Sequence, residues 1–304
     1  RQLQLEADIA FRQDIKWTLT DHGQQAKHQA DILIENLMAA YDRVAGKYED
    51  ELSDAISFFP VLKRSISAIF SNSQSLKSWL EAFTHRLQAD FGTGMQEKIN
   101  DRVLDLAESI QQMAHNIDLR IRNSKTILAN DHEIFSEIAQ RRQNVLRELR
   151  DAFDQFLNRT ENFTTKGVVN TDTRVGTNVA AGSGVAVVGI ILAAVTQGMV
   201  FDITGGVLTA LGFLVAGITL GLQRGKVMKQ YRNEMEKGRK RLQQELSTEL
   251  YAYIETLKTK MNDHFTKFDE LIQLETTELS TLVQDLKSVK TDLENIQKVV
   301  SRAF

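Results

Sequence analysis

The stretch that decides the fold is almost free of charge and reads VGTNVAAGSGVAVVGIILAAVTQGMVFDITGGVLTALGFLVAGITLGLQ, residues 175–223. The 304-residue chain has 37 basic and 40 acidic side chains, and Asp202 is the only one of them in this stretch. Ten of the 17 glycines also lie there. We term residues 175–223 the uncharged segment. The runs on either side of Asp202 have 27 and 21 residues, and each is long enough to cross a hydrocarbon core as a helix.

The rest of the chain carries all the other charges and repeats apolar side chains every three to four positions, as amphipathic helices do. With one proline (Pro60) and no cysteine, few positions force a helix to end, and a disulfide framework is excluded. We expect an all-α protein, an elongated antiparallel helical bundle with an apolar helical hairpin at one tip. The predicted parts are 1–174 for the first part of the bundle, 175–223 for the hairpin and 224–304 for a returning long helix.

The predicted helix boundaries follow from the few residues that disfavour helix. The first helix should end near Phe59 and Pro60, and a break should follow at Gly92 and Gly94. These four residues are candidate hinges, although ordinary bundle turns would give the same pattern. Helices are expected near 61–70, 74–91 and 95–165, and a single element over 226–300. Its last part has a heptad seam for a partner helix, formed by Leu282, Leu286, Val289, Leu293, Ile296 and Val300.

The uncharged segment has three interpretations. Both arms of a hairpin that turns near Asp202 could span a bilayer, the hairpin could enter one leaflet, or the segment could be the buried core of a water-soluble head. We expect membrane contact, since an apolar segment of this size needs a large covering surface. The side chains predicted to enter the bilayer interface are Ile190, Ile191, Leu192, Met199, Val200, Phe201, Ile203, Leu208, Leu211, Phe213 and Leu214.

A basic stretch follows the uncharged segment and favours the same interpretation. Residues 224–241 contain eight basic side chains against Glu234 and Glu236. Cations next to an apolar helix are attracted to anionic lipid, at about 1 kcal/mol each. The predicted headgroup ligands are those within about two turns of the apolar end, Arg224, Lys226, Lys229 and Arg232. A solvated helix face would also explain the basic residues farther along.

The sequence contains no complete motif for phosphate binding or for a helical zinc site. Gly221–Lys226 resembles a phosphate-binding loop but is one residue short between its glycines and lacks the hydroxyl that would hold magnesium. No two of the six histidines lie four residues apart as in a helical zinc site. The net charge of −3 argues against a nucleic-acid partner. We therefore predict no catalytic residue, metal site or cofactor in this chain.

Three groups of residues resemble bacterial dynamin-like proteins. Phe58-Phe59, Leu62, Ile66, Ile69-Phe70-Ser71-Asn72 and Leu80–Phe83 are similar to the trunk that follows the GTPase domain in that family. Phe201-Asp202-Ile203-Thr204-Gly205, Leu208, Leu211-Gly212 and the basic exit Arg224-Gly225-Lys226 resemble its membrane paddle. The run from Tyr231 to Leu279 is similar to the returning trunk helix. The resemblance covers nearly the whole chain.

This resemblance implies a neck and a trunk with a membrane-binding paddle at the trunk tip. A preceding GTPase domain would drive assembly and membrane remodelling. The chain has no GTPase motif, so GTP and Mg²⁺ would belong to the parent protein, and the start at Arg1 within a helical pattern predicts a missing domain. The implied partners are anionic membrane lipids and either further copies or a paired dynamin-like protein. The implied location is cytoplasmic, peripheral on or partly inserted in the cell membrane.

Two other classes fit the same pattern. An α-helical pore-forming toxin also places an apolar, glycine-rich hairpin between long helices and needs no nucleotide. A coiled-coil scaffold with a membrane anchor is the third possibility. The polar residues Thr196-Gln197-Gly198 are unusual for a lipid-facing helix and leave the depth of insertion open.

Overall fold

A computed structural model describes residues 1–65, 73–124, 133–158, 184–218 and 224–303. About 98% of these described residues are helical and none of them is in a strand, which confirms the predicted all-α class. The helices are α1 (Gln2–Ser65), α2 (Ser73–Asn123), α3 (Glu133–Asn158), α4 (Gly184–Ile218), α5 (Arg224–Asp263) and α6 (Thr266–Ala303).

The chain divides into two compact units. Unit 1 contains Arg1–Gly23, Gln112–Asn162 and Thr256–Phe304, and unit 2 contains Gln24–Gln111 and Phe163–Glu255. Helices α1, α2 and α5 each contribute residues to both units, whereas α4 belongs to unit 2 and α6 to unit 1.

Aromatic side chains from α1 and from the start of α6 form part of the core of unit 1. Phe11 meets Phe268 edge to face, with 5.4 Å between ring centroids, and Phe265 lies beside them. The Arg12 guanidinium lies 4.7 Å from the Phe265 ring centroid and pairs with Asp269 at 2.6 Å. Arg12 therefore joins α1 to α6 both by charge and by contact with a ring face.

A buried ion pair links α1 to α3 in the same unit. Arg142 Nη2 lies 2.6 Å from Asp8 Oδ1, and both side chains are more than nine-tenths buried. Gln4 donates a hydrogen bond to Asp8, and Arg142 donates one to Ser124. Because charges buried without partners are costly, these bonds are needed to keep the pair within the core.

The predicted single helix over 95–165 is wrong, because α2 ends at Asn123 and α3 begins at Glu133. Ser124 is not helical, and its amide bonds back to the carbonyl of Ile121. Arg150 of α3 then donates to carbonyls at this helix end, where a cation is favourable. Helix α2 therefore ends at Asn123, with Arg150 bonded to its last carbonyls, although no glycine or proline marks this position in the sequence.

The predicted single element over 226–300 is also wrong. Helix α5 ends at Asp263 and α6 begins at Thr266. The amide of Phe265 bonds to the carbonyl of Asn262 at 3.0 Å, and the Thr266 hydroxyl bonds to the carbonyl of Asp263 at 2.7 Å. Short polar side chains favour such local bonds over continued helix, so this turn forms without glycine or proline.

In unit 2, α1 packs on α2 through aromatic contacts. The rings of Tyr41 and Phe91 lie 4.8 Å apart, and the Tyr48 hydroxyl donates to Asp90 at 3.1 Å. Lys47 pairs with the same carboxylate at 2.6 Å and is the main cause of the lowered pKa of Asp90. These contacts cover the part of α2 in which a helix break was predicted.

The predicted helix ends at the four candidate hinges are wrong. Helix α1 continues through Phe59 and Pro60 to Ser65, and α2 continues through Gly92 and Gly94, neither of which has a left-handed backbone. A helix can pass a proline at the cost of one hydrogen bond, and glycine only weakens a helix that packing supports. Whether these residues act as hinges stays a prediction.

Candidate membrane-binding site

The uncharged segment contributes one continuous helix instead of a hairpin with a turn near Asp202. Helix α4 runs from Gly184 to Ile218 without a break at Gly205-Gly206. The hydroxyls of Thr196 and Thr204 bond to the carbonyls of Leu192 and Val200, at 2.7 and 2.8 Å. Threonines bonded in this way are satisfied within a helix, so neither of them ends α4.

Most of the described side chains predicted to meet lipid are buried in unit 2. Ile191, Leu192, Met199, Val200 and Ile203 are each at most 6% exposed, and Ile190 is half-buried. The side chains of the remaining five lie outside the described part of the structure, although all five residues belong to α4. They are Phe201, Leu208, Leu211, Phe213 and Leu214.

A glycine on α5 lies close against α4. A Cβ atom placed on Gly238 would lie 2.6 Å from Cγ1 of Ile203 and 2.9 Å from the hydroxyl of Tyr41. Real Cβ atoms essentially never come this close to other atoms, so a larger residue at position 238 would require Ile203 or Tyr41 to shift. Sequence reasoning did not single out Gly238 or Tyr41. The available signal was one glycine in a long helix-forming stretch.

Two buried tyrosines fix α1 against α5 around this contact. The Tyr41 hydroxyl donates to the carbonyl of Met235, and the Tyr231 hydroxyl donates to the carbonyl of Ala45, both at 2.8 Å. Burial raises the pKa of both hydroxyls, so each remains a protonated donor. These bonds hold α1 and α5 together independently of α4.

The one charge of the uncharged segment has a partner on α5. Asp202 Oδ2 lies 3.2 Å from Arg241 Nη1, and both side chains are well exposed. An exposed ion pair contributes at most about 1 kcal/mol. The pair therefore adds little to the contact between α4 and α5.

A groove lies between α4 and α2. Its volume is about 860 Å³, and its lining includes Gln96 and Asn100 of α2 and Thr196 and Gln197 of α4. Thr196 and Gln197, which looked unusual for a lipid-facing helix, thus line a groove within unit 2.

The predicted headgroup ligands lie at the start of α5. Lys226, Lys229 and Arg232 are exposed, while Val227 and Met228 between them are buried. Arg232 pairs with Glu49 at 2.6 Å. Neither Lys226 nor Lys229 has an ion-pair partner in the part of the chain that the structure describes. Arg224 is the first residue of α5, and its side chain lies outside that part.

The basic residues farther along α5 are all paired. Lys237 bonds to Glu234 at 2.9 Å and Lys240 to Glu236 at 2.6 Å. Arg239 pairs with Asp42 of α1 at 2.8 Å. The cations of α5 that keep an unpaired charge in the described structure are thus the two lysines nearest to the uncharged segment.

Within the described residues, one helical stretch is long and apolar enough to cross a membrane. It is the 20-residue run Val188–Val207, and about 53% of it is buried within the protein. Core helices of water-soluble proteins have the same composition.

The described residues contain no group of histidine and carboxylate side chains that could hold a metal ion. No protein-family model, curated protein or solved structure matches this chain.

Proposed function

We propose that this protein binds membranes through the uncharged segment, and that α4 leaves its place in unit 2 to do so. The observation that carries the proposal is a 35-residue helix whose only charged residue is Asp202, next to the exposed Lys226 and Lys229. Burying apolar groups out of water contributes about 0.8 kcal/mol per CH₂, so α4 has to be covered either by unit 2 or by lipid. The lysines direct the segment to anionic lipid.

The move from unit 2 to lipid is close to balanced in its apolar part. Ile191, Leu192 and Ile203 are shielded from water in unit 2, and lipid tails are about as apolar as such side chains. The exchange thus loses protein contacts and gains lipid contacts of similar strength. Weak additional contacts, such as those of cations with anionic headgroups, are then sufficient to decide whether α4 inserts.

Membrane remodelling is the activity that we assign to this binding. It follows from the resemblance to bacterial dynamin-like proteins, in which an elongated bundle would carry the uncharged segment as a paddle at its tip. The GTPase domain of the parent protein would provide the energy. This chain would supply the lipid contact and the self-assembly.

Pore formation is the second candidate, and the burial of α4 favours it. A pore-forming protein must stay soluble in water before it meets its target, so its inserting helix has to be covered by the rest of the chain. The buried side chains of Met199, Val200 and Ile203 are the arrangement that this class requires. Dye-loaded vesicles separate the candidates: leakage by this chain alone supports pore formation, while tubulation or tethering without leakage supports remodelling.

Flotation with lipid vesicles tests the membrane proposal shared by both candidates. The triple change Leu208→Asp, Leu211→Asp and Phe213→Asp should abolish co-flotation, because it places three charges in the apolar helix. The control changes exposed apolar residues elsewhere, Leu3→Asp, Leu104→Asp and Leu119→Asp, and should leave flotation unchanged. Retained binding of the first variant, with normal helicity, would contradict the proposal.

A further inference from the structure

The second half of α6 is exposed on all sides. Phe268, Leu271 and Glu275 in its first half are buried in unit 1, but residues 280–298 are all exposed. Six apolar residues of this part are between 46% and 67% exposed. They are Leu282, Leu286, Val289, Leu293, Ile296 and Val300. An isolated helix of this length is only marginally stable in water, so it needs a partner helix.

The spacing of these six residues is that of a coiled coil. They follow one another at intervals of 4, 3, 4, 3 and 4 residues, which places Leu286, Leu293 and Val300 at heptad position a and the other three at position d. In this register Asp285 and Asp292 occupy position g, and Lys290 occupies position e. The e and g residues flank the seam and determine partner and orientation.

The flanking charges distinguish the possible arrangements of two identical helices. In a parallel, in-register pair, position g of one helix faces position e of the next heptad in its partner, so Asp285 meets Lys290 of the second copy on both sides. In an antiparallel pair with full overlap, Asp292 meets Asp292 and Lys290 meets Lys290. The parallel pair gains two opposite-charge contacts, whereas the antiparallel pair has only repulsion at these positions.

We propose that residues 279–300 of α6 associate with the same residues of further copies of this chain in a parallel coiled coil. Leucine at a with valine or isoleucine at d favours three or four strands over two, as Leu286 with Val289 and Leu293 with Ile296 show here. Val283 at position e is 42% exposed and widens the apolar surface accordingly.

This association would raise the avidity of any surface that unit 1 and unit 2 present. Linking several copies makes later binding events intramolecular, which can strengthen binding by roughly 10²–10⁴-fold without new contacts. The inference itself rests on α6 alone and stands whether or not the uncharged segment binds lipid.

Sedimentation of the full chain at micromolar concentration tests the association. The wild type should sediment as a trimer or tetramer, and Leu286→Asp with Leu293→Asp should sediment as a monomer with unchanged helicity in unit 1. The matched control, Ser288→Asp with Asn295→Asp, adds the same charge on the opposite face and should remain assembled. A monomeric wild type would overturn the proposal, as would an assembled Leu286→Asp/Leu293→Asp variant.

Charge exchange and cross-linking test the parallel orientation. Asp285→Lys should weaken the assembly at low salt, and Asp285→Lys with Lys290→Asp should restore it. Since the chain has no cysteine, Leu286→Cys alone should form an intermolecular disulfide on oxidation. If instead only a mixture of Leu286→Cys and Ile296→Cys chains cross-links, the helices are antiparallel and the proposed arrangement is wrong.

Discussion

Gly238 of α5 and Ile203 of α4 approach so closely that a methyl group on the glycine would lie 2.6 Å from Cγ1 of the isoleucine. The hydroxyl of Tyr41 on α1 would lie 2.9 Å from the same methyl group. The uncharged helix is thus held in unit 2 by close backbone packing at a residue without a side chain.

Replacing Gly238 by alanine should destabilise the protein. Alanine improves helix propensity by up to about 1 kcal/mol, but overpacking against Ile203 and Tyr41 costs about 1–3 kcal/mol. We expect a net loss of about 1 kcal/mol in the free energy of unfolding, measured with urea. Gly46→Ala is the control: nothing lies within 4 Å of its Cβ position, so it should stabilise by about 0.5–1 kcal/mol. Equal effects of the two changes would contradict the contact.

Breaking the buried pair of Asp8 and Arg142 should be costly. Arg142→Met leaves the Asp8 carboxylate buried without its counter-ion, for which we expect a loss of about 3–5 kcal/mol. Asp8→Leu together with Arg142→Met should recover most of this loss, because no unpaired charge remains. Changing the exposed Lys267, which pairs with Glu148, to methionine should have a much smaller effect, because exposed ion pairs contribute little. A double-mutant cycle by chemical denaturation measures these values.

His264 should make stability depend on pH. It lies edge to face against Phe153 and Phe156, at 5.8 and 5.3 Å, and burial lowers its pKa from 6.5 despite an opposing effect of Asp263. Below pH 6.5 the unfolded chain therefore binds a proton that the folded protein does not. Its contribution to stability is fully present above pH 6.5 and is lost as the pH falls towards the folded pKa. His264→Phe should reduce this loss, as urea unfolding at a series of pH values would show.

Removing the unpaired lysines should weaken binding to anionic vesicles. Lys226→Gln with Lys229→Gln loses two headgroup contacts of about 1 kcal/mol each, or roughly 30-fold in affinity. Lys237→Gln with Lys240→Gln removes the same charge from residues that already pair with Glu234 and Glu236, and should have a smaller effect. Neutral vesicles should not distinguish the variants. Equal losses for both pairs would contradict the headgroup assignment.

The all-α class could be predicted from sequence, because apolar residues recur every three to four positions and residues that end helices are rare. The positions of the helix ends could not. Pro60 and Gly92 lie within helices, while Asn262-Asp263 ends a helix through local bonds. Whether a helix continues or ends at such positions depends on contacts that cannot be read from a single sequence.

At the candidate site, too, some features could be predicted from sequence and others could not. The lack of charge marked α4 correctly as an unusual element, but the turn predicted at Asp202 is wrong because Thr204 and Gly205 are accommodated within the helix. Gly238 was missed because its role depends on Ile203 and Tyr41, which are 35 and 197 residues away in sequence. Lipid binding by the apolar residues that were predicted to enter the bilayer stays a prediction.

A disulfide between α4 and α5 tests most directly whether α4 must leave unit 2. The change Ile203→Cys with Gly238→Cys places two thiols at a close contact, because the Gly238 Cβ position lies 2.6 Å from Cγ1 of Ile203, in a chain without other cysteines. Val44→Cys with Gly94→Cys is the control; it would tie α1 to α2, where the Gly94 Cβ position lies 3.6 Å from Val44, and leave α4 free. The account predicts that oxidised Ile203→Cys/Gly238→Cys does not float with anionic vesicles, that reduction restores flotation, and that the control floats in both states. Undiminished flotation of the oxidised α4–α5 variant would contradict it.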